Sequence, residues 1–266
     1  MKTPLLSFLF FLVIFGACIS DRKPASAVDY SLLVNPFIGT DFTGNTYPGA
    51  QAPFGMVQLS PDNGLPGWDR ISGYYYPDST IAGFSHTHLS GTGAGDLYDI
   101  SYMPVTLPYR EAEAPLGIHS KFRHSDEEAS AGYYRVLLKD YNINVELTAT
   151  ERCGIQRYTF PKAQSAVFLN LKKAMNWDFT QDSHIEVVDS CTIQGYRFSD
   201  GWARGQRVFF RTRFSKPFRS SEIDTTAIIQ DGKTIGTAYV ARFNFDTTDG
   251  EQIVLSTALS GVSMEG

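Results

Sequence analysis

The feature that most constrains this chain is a long series of short alternating segments between residues 133 and 257. Along each segment apolar and polar side chains alternate with a period of two, which is the pattern of a strand with one buried face. The segments predicted as strands are residues 133–138, 143–149, 155–160, 167–171, 185–188, 192–198, 208–214, 238–243 and 253–257. Turn sequences separate them, and helical periodicity is confined to a possible turn at residues 126–131. The chain is therefore predicted to be all-β, with a large two-sheet β-sandwich.

The N-terminus is predicted to be an export signal. Lys2 precedes an almost unbroken apolar run over residues 5–15, which is too short to cross a bilayer comfortably. Two small residues then precede Cys18, as in bacterial lipoprotein signals. Residues 1–17 are therefore predicted as a lipoprotein-type signal peptide with Cys18 as the lipidated residue, and ordinary cleavage without lipidation is the alternative. Residues 18–29 are predicted to form a flexible tether.

Composition narrows the classes of function. The net charge is −5 and no basic run is present, which argues against a nucleic-acid partner. The 14 Tyr and 19 Phe residues favour strands and sugar-type ligands. No G-x-S-x-G sequence occurs, and the alternating glycines after residue 90 lack the βαβ context of a dinucleotide site. For Cys153 and Cys191, two free thiols are the favoured interpretation, and a disulfide stays open.

Residues 68–99 concentrate polar chemistry that apolar burial alone does not require. The candidate ligand-contacting residues are Trp68, Asp69, Arg70, His86, His88 and Asp96. An aromatic ring can stack on the C–H face of a sugar, and imidazoles and short polar side chains can hydrogen-bond its hydroxyls. His86 and His88 share one face of an extended segment, which would let both imidazoles act together. The stretch is therefore a candidate site for a ligand rich in hydroxyls.

Each of these residues also has a structural interpretation. Trp68 could be a core residue, and either histidine could be a hydrogen-bonded framework residue. A zinc site formed by His86 and His88 with Asp96 or Asp99 is a weaker alternative, because no third histidine lies at a diagnostic spacing. The aspartates of this stretch could also include a glycosidase-type carboxylate pair, although the sequence gives no distances between them.

Several motifs give the chain a specific resemblance to a known family. They are VNPFIGT at residues 34–40, YPGA at 47–50, PFGMVQLSPD at 53–62, SGY at 72–74, GFSHTHLSGTG at 83–93, GYY at 132–134, ELTAT at 146–150 and RYTFP at 157–161. The block at residues 83–93 is the longest and the most specific. With these motifs the chain resembles the N-terminal domain of family 92 glycoside hydrolases, the exo-acting α-mannosidases common in gut bacteria.

The resemblance implies a galactose-mutarotase-like supersandwich over residues 30–258, with residues 259–266 as the start of a linker to a helical (α/α)6 domain. In the family, catalysis is calcium-dependent and inverting, and the acid, the base and the calcium ligands come mainly from that helical domain. We therefore expect no catalytic residue, metal ligand or cofactor in this chain, which would be a truncated form that is inactive alone.

The resemblance also implies roles for the candidate residues. Trp68 is expected to stack on a mannose ring, while the other candidates orient hydroxyls or support the loop. Many members of the family have Trp and Cys where this chain has Arg70 and Ile71, so the chemistry of its subsite is expected to differ.

Two functions of different class follow. The first is the carbohydrate-binding N-terminal half of an exo-α-mannosidase, which hydrolyses α-mannosides on glycans with inversion. The second is a stand-alone surface protein that binds carbohydrate without catalysis. The expected partners are a mannose-containing glycan, the helical domain and, through the lipid anchor, a membrane. The expected location is the bacterial envelope, at the periplasm or the outer-membrane surface.

Overall fold

The computed structural model describes residues 28–113, 116–173 and 175–265. The predicted signal peptide, Cys18 and most of the predicted tether lie outside these ranges. From Ser31 onward the chain forms one compact unit. Helical structure in the described ranges consists of 3-10 turns at Tyr30–Leu33, Trp68–Arg70 and His124–Asp126. Among these described residues, no helix has the length and hydropathy needed to cross a membrane.

Seventeen strands follow one another along the described part of the chain. They are β1 (Ala50–Gln51), β2 (Gln58–Asp62), β3 (Thr80–Ile81), β4 (Gly83–Ser85), β5 (Ser101–Thr106), β6 (Ser120–Lys121), β7 (Glu127–Ser130), β8 (Tyr133–Leu138), β9 (Ile143–Ala149), β10 (Cys153–Phe160), β11 (Ala163–Asn170), β12 (Phe179–Asp189), β13 (Thr192–Asp200), β14 (Gln206–Phe214), β15 (Ser220–Gln230), β16 (Lys233–Thr247) and β17 (Glu251–Ser260).

These strands form two large antiparallel sheets. One sheet has seven strands in the order β1, β2, β4, β5, β11, β16 and β15. The other has eight strands in the order β12, β13, β14, β17, β10, β9, β8 and β7, and β3 pairs with β6 in a small separate ribbon. The last strand, β17, therefore lies in the middle of its sheet, where Leu255 is opposite both Gln156 of β10 and Phe214 of β14.

The core lies between the two large sheets and is rich in aromatic side chains. Alternate residues of β10 point into it, so Tyr158 and Phe160 are buried, while Arg157, the residue before Tyr158, is exposed. Polar contacts also cross the core, since the hydroxyls of Tyr102 in β5 and Thr212 in β14 are 2.6 Å apart. The prediction of an all-β, two-sheet sandwich is confirmed.

Two local features differ from the sequence-based expectations. The possible helical turn at residues 126–131 is wrong, because this stretch contains the edge strand β7. The Glu127 carboxylate fixes that strand by accepting hydrogen bonds from the hydroxyls of Tyr74 (2.8 Å) and Tyr134 (2.7 Å). The alternating pattern also does not predict β15, because this edge strand is exposed on both faces and needs no apolar side.

Candidate functional site

Two tryptophans lie side by side on the surface of the domain. Trp68, in the 3-10 turn after β2, is 56% exposed, and Trp177, in the connection between β11 and β12, is 45% exposed. Their rings contact edge to face, with centroids 6.2 Å apart. Neither indole is a core residue, so each keeps apolar surface that a sugar ring could contact.

The turn that carries Trp68 is fixed by the side chain of Asn176. Gly67, which precedes the turn, has φ +152°, a conformation that favours glycine, and its N–H donates to Asn176 Oδ1 over 2.9 Å. Asn176 Nδ2 donates to the carbonyl oxygen of Arg70 over 3.3 Å and to the hydroxyl of Tyr98 over 3.2 Å. One amide group therefore holds both ends of the turn.

A glycine-rich loop at residues 89–97 packs against the edge of the same indole. A methyl group on Gly93 would lie 3.2 Å from Cη2 of Trp68, which is tighter than most contacts of a real Cβ. Glycine at this position therefore lets the backbone of the loop approach the ring.

Arg70 lies beside Trp68 and is held by two contacts. It forms a bidentate ion pair with Asp78, with distances of 2.6 Å at Nε and 2.5 Å at Nη2. Its guanidinium carbon is 4.7 Å from the centroid of the Tyr75 ring, in cation–π geometry. The hydrogen bond to Asp78 raises the pKa of Arg70, so the side chain keeps its charge. Asp69 is partly exposed in the same turn.

His86 is fully buried. Its Nδ1 lies 2.7 Å from the carbonyl oxygen of Ile100, and because a carbonyl can only accept, Nδ1–H donates. The other ring nitrogen faces the side-chain nitrogen of Gln156 at 3.5 Å. Burial lowers the pKa of His86 to about 4, so the ring is neutral at physiological pH.

His88 belongs to a buried charged network with Asp62 and Lys173. Its Nδ1 lies 2.7 Å from the carbonyl oxygen of Gln58, and its Nε2 lies 2.8 Å from the Asp62 carboxylate. The Ser85 hydroxyl lies 3.0 Å from the same Nε2. Lys173 Nζ contacts the other Asp62 oxygen at 2.9 Å. Burial acts to raise the pKa of Asp62, but the charges of Lys173 and His88 lower it to about 2.

A second buried network surrounds Arg197. Its guanidinium contacts Asp99 Oδ1 at 2.6 Å and also pairs with the Asp178 carboxylate. It donates as well to the carbonyl oxygens of Leu97 (3.3 Å) and Lys173 (3.0 Å). Burial raises the pKa of Asp178 to about 7, against the opposite effect of the Arg197 charge. Arg197 therefore ties the connection between β11 and β12 to the residues that follow the glycine-rich loop.

The backbone next to this network is strained. Leu97, Tyr98 and Ile100 all have positive φ, at 83°, 61° and 53°. Such conformations cost on the order of 1 kcal/mol each, and they persist where surrounding contacts over-determine them. The hydroxyl of Tyr98 donates to the carbonyl oxygen of Ile71, which adds one such contact.

Asp96 is buried and fixes the turn between β13 and β14. Its Oδ1 accepts the N–H of Trp202 over 2.9 Å, and its Oδ2 accepts the N–H of Ala203 over 2.7 Å. The side chain of Trp202 is 77% exposed on this turn. Asp96 therefore connects the glycine-rich loop to a third surface tryptophan.

The structure thus places Trp68, Asp69 and Arg70 in one partly exposed turn. His86, His88 and Asp96 are instead buried and hydrogen-bonded. The sequence reading did not single out Trp177, Asn176, Arg197 or Trp202. Two signals were available, because Trp177 and Trp202 each lie in a gap between predicted strands, where an indole has no core to enter.

The described residues form no cluster of side chains that could bind a metal ion. They contain no group of three or more His, Cys, Asp or Glu side chains that could hold a metal ion. The ring nitrogens of both histidines face protein groups, and the Asp62 carboxylate is matched by His88 and Lys173. The described residues therefore offer no cluster of carboxylates for the calcium ion that the family resemblance implies.

Comparisons with known proteins agree on one family. Residues 33–260 match the glycosyl hydrolase family 92 N-terminal domain. The chain is similar to a family 92 alpha-mannosidase from Bacteroides thetaiotaomicron solved in complex with mannoimidazole, with a TM-score of 0.80 and 35% identity, covering 88% of this chain and 33% of that chain. It is also similar to the family 92 inverting mannosidase from Bacteroides thetaiotaomicron VPI-5482, with a TM-score of 0.71 and 25% identity, covering 90% of this chain and 32% of that chain.

A curated relative extends the comparison to a fungus. An uncharacterized secreted glycosidase from Arthroderma benhamiae is 28% identical over 138 residues, which is 48% of this chain and 17% of that protein. The chain thus spans about a third of the solved relatives it matches and a smaller share of this one.

Proposed function

The chain belongs to the glycosyl hydrolase family 92 N-terminal domain family, as its motifs predict, and from that membership we propose that it is the carbohydrate-binding half of an exported exo-α-mannosidase. The observation that carries the proposal is the exposed pair formed by Trp68 and Trp177, with ring centroids 6.2 Å apart. The two indoles belong to segments far apart in sequence, and buried polar side chains hold both segments.

We assign direct contact with mannose to the surface residues. Trp68 stacks on the C–H face of the ring, where indole and sugar both lose water from apolar surface. Asp69 accepts hydrogen bonds from sugar hydroxyls. Arg70 donates to them, because its ion pair with Asp78 occupies only part of its five N–H groups.

The buried candidates act through the loops. His86 holds the backbone at Ile100, His88 holds it at Gln58, and Asp96 holds it at Trp202, each through a hydrogen bond. In this proposal a change at any of them weakens mannoside binding by displacing a loop, without removing a contact to the sugar.

The reacting groups belong to another part of the enzyme. Inverting hydrolysis needs one carboxylic acid and one carboxylate on opposite sides of the sugar, with room for a water molecule. In this chain Asp62 and Asp99 are buried in ion pairs. We therefore propose that the acid, the base and the calcium ligands come from a helical domain, in the part of the solved relatives that this chain does not cover.

Export of the protein is supported by its similarity to a protein named as a secreted glycosidase. We propose residues 1–17 as a lipoprotein-type signal peptide and Cys18 as the lipid-bearing residue, so that the enzyme is anchored in the bacterial envelope. Labelling of cells with a palmitate analogue would mark the wild-type protein and leave Cys18→Ser unlabelled.

Titration of the full chain with methyl α-D-mannoside, followed by tryptophan fluorescence, tests the binding surface. We expect a saturable change for the wild type and about a fivefold loss of affinity in Trp68→Ala, since one aromatic stacking contact is worth about 1 kcal/mol. Phe54→Ala is the matched control, because Phe54 is an exposed aromatic in the connection between β1 and β2. Equal binding by Trp68→Ala and the wild type would refute the proposed contact.

Release of mannose from α-mannosides in the presence of calcium tests the division of labour. We expect release by a protein extended through the downstream reading frame and none by the chain alone. Release by the chain alone would overturn the assignment of catalysis to a second domain. Binding without release by the extended protein would instead favour a stand-alone carbohydrate-binding protein.

A further inference from the structure

A cavity adjoins the glycine-rich loop that packs on Trp68. Its volume is about 360 Å³, which lies in the range of small-molecule sites. Its lining combines apolar and polar side chains, among them Trp202, Leu97, Ser90, Thr92, Gln206 and Asp96. Trp202 lies in the turn between β13 and β14 and Gln206 begins β14, while the other four belong to the glycine-rich loop.

The chemistry of this lining selects a neutral ligand rich in hydroxyls. The exposed indole of Trp202 and the side chain of Leu97 offer apolar surface, while Ser90, Thr92 and Gln206 offer donors and acceptors. Among the described residues that line the cavity, Asp96 carries the one carboxylate, and none is a lysine or an arginine. An anionic ligand would therefore be repelled, whereas a pyranose has both the apolar ring face and the hydroxyls that these groups match.

The wall that carries Trp202 is held in place before any ligand arrives. Asp96 accepts the N–H groups of Trp202 (2.9 Å) and Ala203 (2.7 Å), and the side-chain nitrogen of Gln206 lies 3.5 Å away. A methyl group on Gly201 would lie 2.2 Å from Asp96 Oδ1, so the turn can approach the carboxylate only with glycine there. An ionised carboxylate has about four acceptor positions, which leaves room for one ligand hydroxyl.

The cavity and the first site share one loop. Thr92 and Ala94 line the cavity, and Gly93 between them lies against the ring of Trp68. We propose that the cavity binds a second neutral pyranose of the same glycan, next to the mannose that stacks on Trp68. This inference rests on the proposed function for the class of ligand, and it assigns Trp202 as the stacking residue of the second sugar.

The three tryptophans of the chain allow both sites to be observed at once. The indole N–H resonances of the full chain are assigned with single Trp→Phe variants, and the probes are methyl α-D-mannoside and α-1,2- and α-1,3-linked mannobiose. We expect the monosaccharide to shift the resonance of Trp68, and at least one mannobiose to shift that of Trp202 as well.

Affinity gives the second readout. Trp202→Ala should bind the mannobiose about fivefold more weakly, as expected from the loss of one stacking contact, and should bind methyl α-D-mannoside almost as well as the wild type does. Trp202 is exposed, so its replacement leaves the core intact, and Phe54→Ala is the control for removing a surface aromatic.

The outcomes separate the two proposals. A Trp202 resonance that neither mannobiose moves overturns the second site, and if that of Trp68 moves, the proposed function stands. Movement of Trp202 without Trp68 supports the cavity and overturns the stacking role of Trp68. Equal affinity of Trp202→Ala and the wild type for both mannobioses also overturns the second site.

Discussion

The backbone N–H of Gly67 donates to the side-chain oxygen of Asn176 over 2.9 Å, although the two residues are 109 positions apart in sequence. The same side chain reaches the carbonyl oxygen of Arg70, so the turn that carries Trp68 is bound at both ends to the segment that carries Trp177. A surface built from two distant segments binds well only when neither has to be ordered on binding, because ordering costs free energy.

Asn176→Ala should therefore lower both the affinity for mannoside and the free energy of unfolding. We expect about a fivefold loss of affinity for methyl α-D-mannoside, with a loss of about 1–3 kcal/mol in the free energy of unfolding from the missing hydrogen bonds. Fluorescence titration and urea denaturation measure the two quantities. Asn144→Ala, on β9, is the control and should change neither appreciably. Wild-type affinity in a destabilised Asn176→Ala would show that the amide supports the fold alone.

Arg197→Met should be severely destabilising. The substitution removes the cation from between two buried carboxylates, Asp99 and Asp178. Breaking a buried ion pair from one side costs about 3–5 kcal/mol, because the remaining charges stay buried without a partner. The control is Arg157→Met, because the Arg157 side chain is 44% exposed, and its cost should be within about 1 kcal/mol. Similar midpoints of urea denaturation for the two variants would contradict this ranking.

Acidification should destabilise the domain through His86. Burial lowers the pKa of His86 to about 4 in the folded state, whereas an unfolded histidine titrates near about 6.5. Between these values the unfolded state binds more protons, so the free energy of unfolding falls as the pH drops, by at most about 1.4 kcal/mol per pH unit. Above about pH 6.5 this contribution is fully present.

Comparison with His86→Gln isolates the effect. Asp178 has the opposite effect on the pH dependence of stability over an overlapping pH range. Its pKa is raised to about 7 in the folded state, so the folded state binds more protons than the unfolded state. That contribution is present in both proteins and cancels in the difference. Urea denaturation between pH 4 and pH 7 should show a steeper fall for the wild type than for His86→Gln, and His119→Gln should behave as the wild type. Parallel curves for the wild type and His86→Gln would refute the assignment.

Gly93→Ala should disturb the first tryptophan without unfolding the protein. The new methyl group would lie 3.2 Å from Trp68 Cη2, so the indole must move by a few tenths of an ångström. We expect a shifted fluorescence maximum and about a threefold loss of mannoside affinity, at nearly unchanged stability. Gly261→Ala is the matched control, since its added methyl would meet open space. An unaltered spectrum would show that the loop backbone moves to accommodate the methyl group and that the indole of Trp68 stays in place.

The sequence predicted the architecture well and the site only in outline. Alternation along segments such as residues 155–160 reports burial directly, because one face of a strand is in the core and the other is in water. Both faces of β15 are largely exposed, so its sequence does not alternate between apolar and polar residues. Its place in the sheet depends on pairing with β16, which its own sequence does not predict. The resemblance of the block at residues 83–93 led to the correct family.

The burial of the two histidines illustrates why the rest could not be predicted. The alternating pattern predicts that His86 and His88 share one face of an extended segment, but it does not say what either ring contacts. His86 contacts Ile100, and His88 contacts Gln58 and Asp62, which come from other strands and loops. Arg197 was missed for a related reason, because an arginine in an alternating strand reads as solvent-facing unless its carboxylate partners are known.

The position of β17 between β10 and β14 has a consequence for how the protein is made. A ribosome must release residues 251–260 before the eight-stranded sheet can close, because the neighbours of β17 are synthesised first. Until then β10 and β14 each present an unpaired edge through which nascent chains could associate. The sheet is thus expected to close only after residue 260 has left the ribosome, and a chaperone that shields those edges would limit association in the meantime.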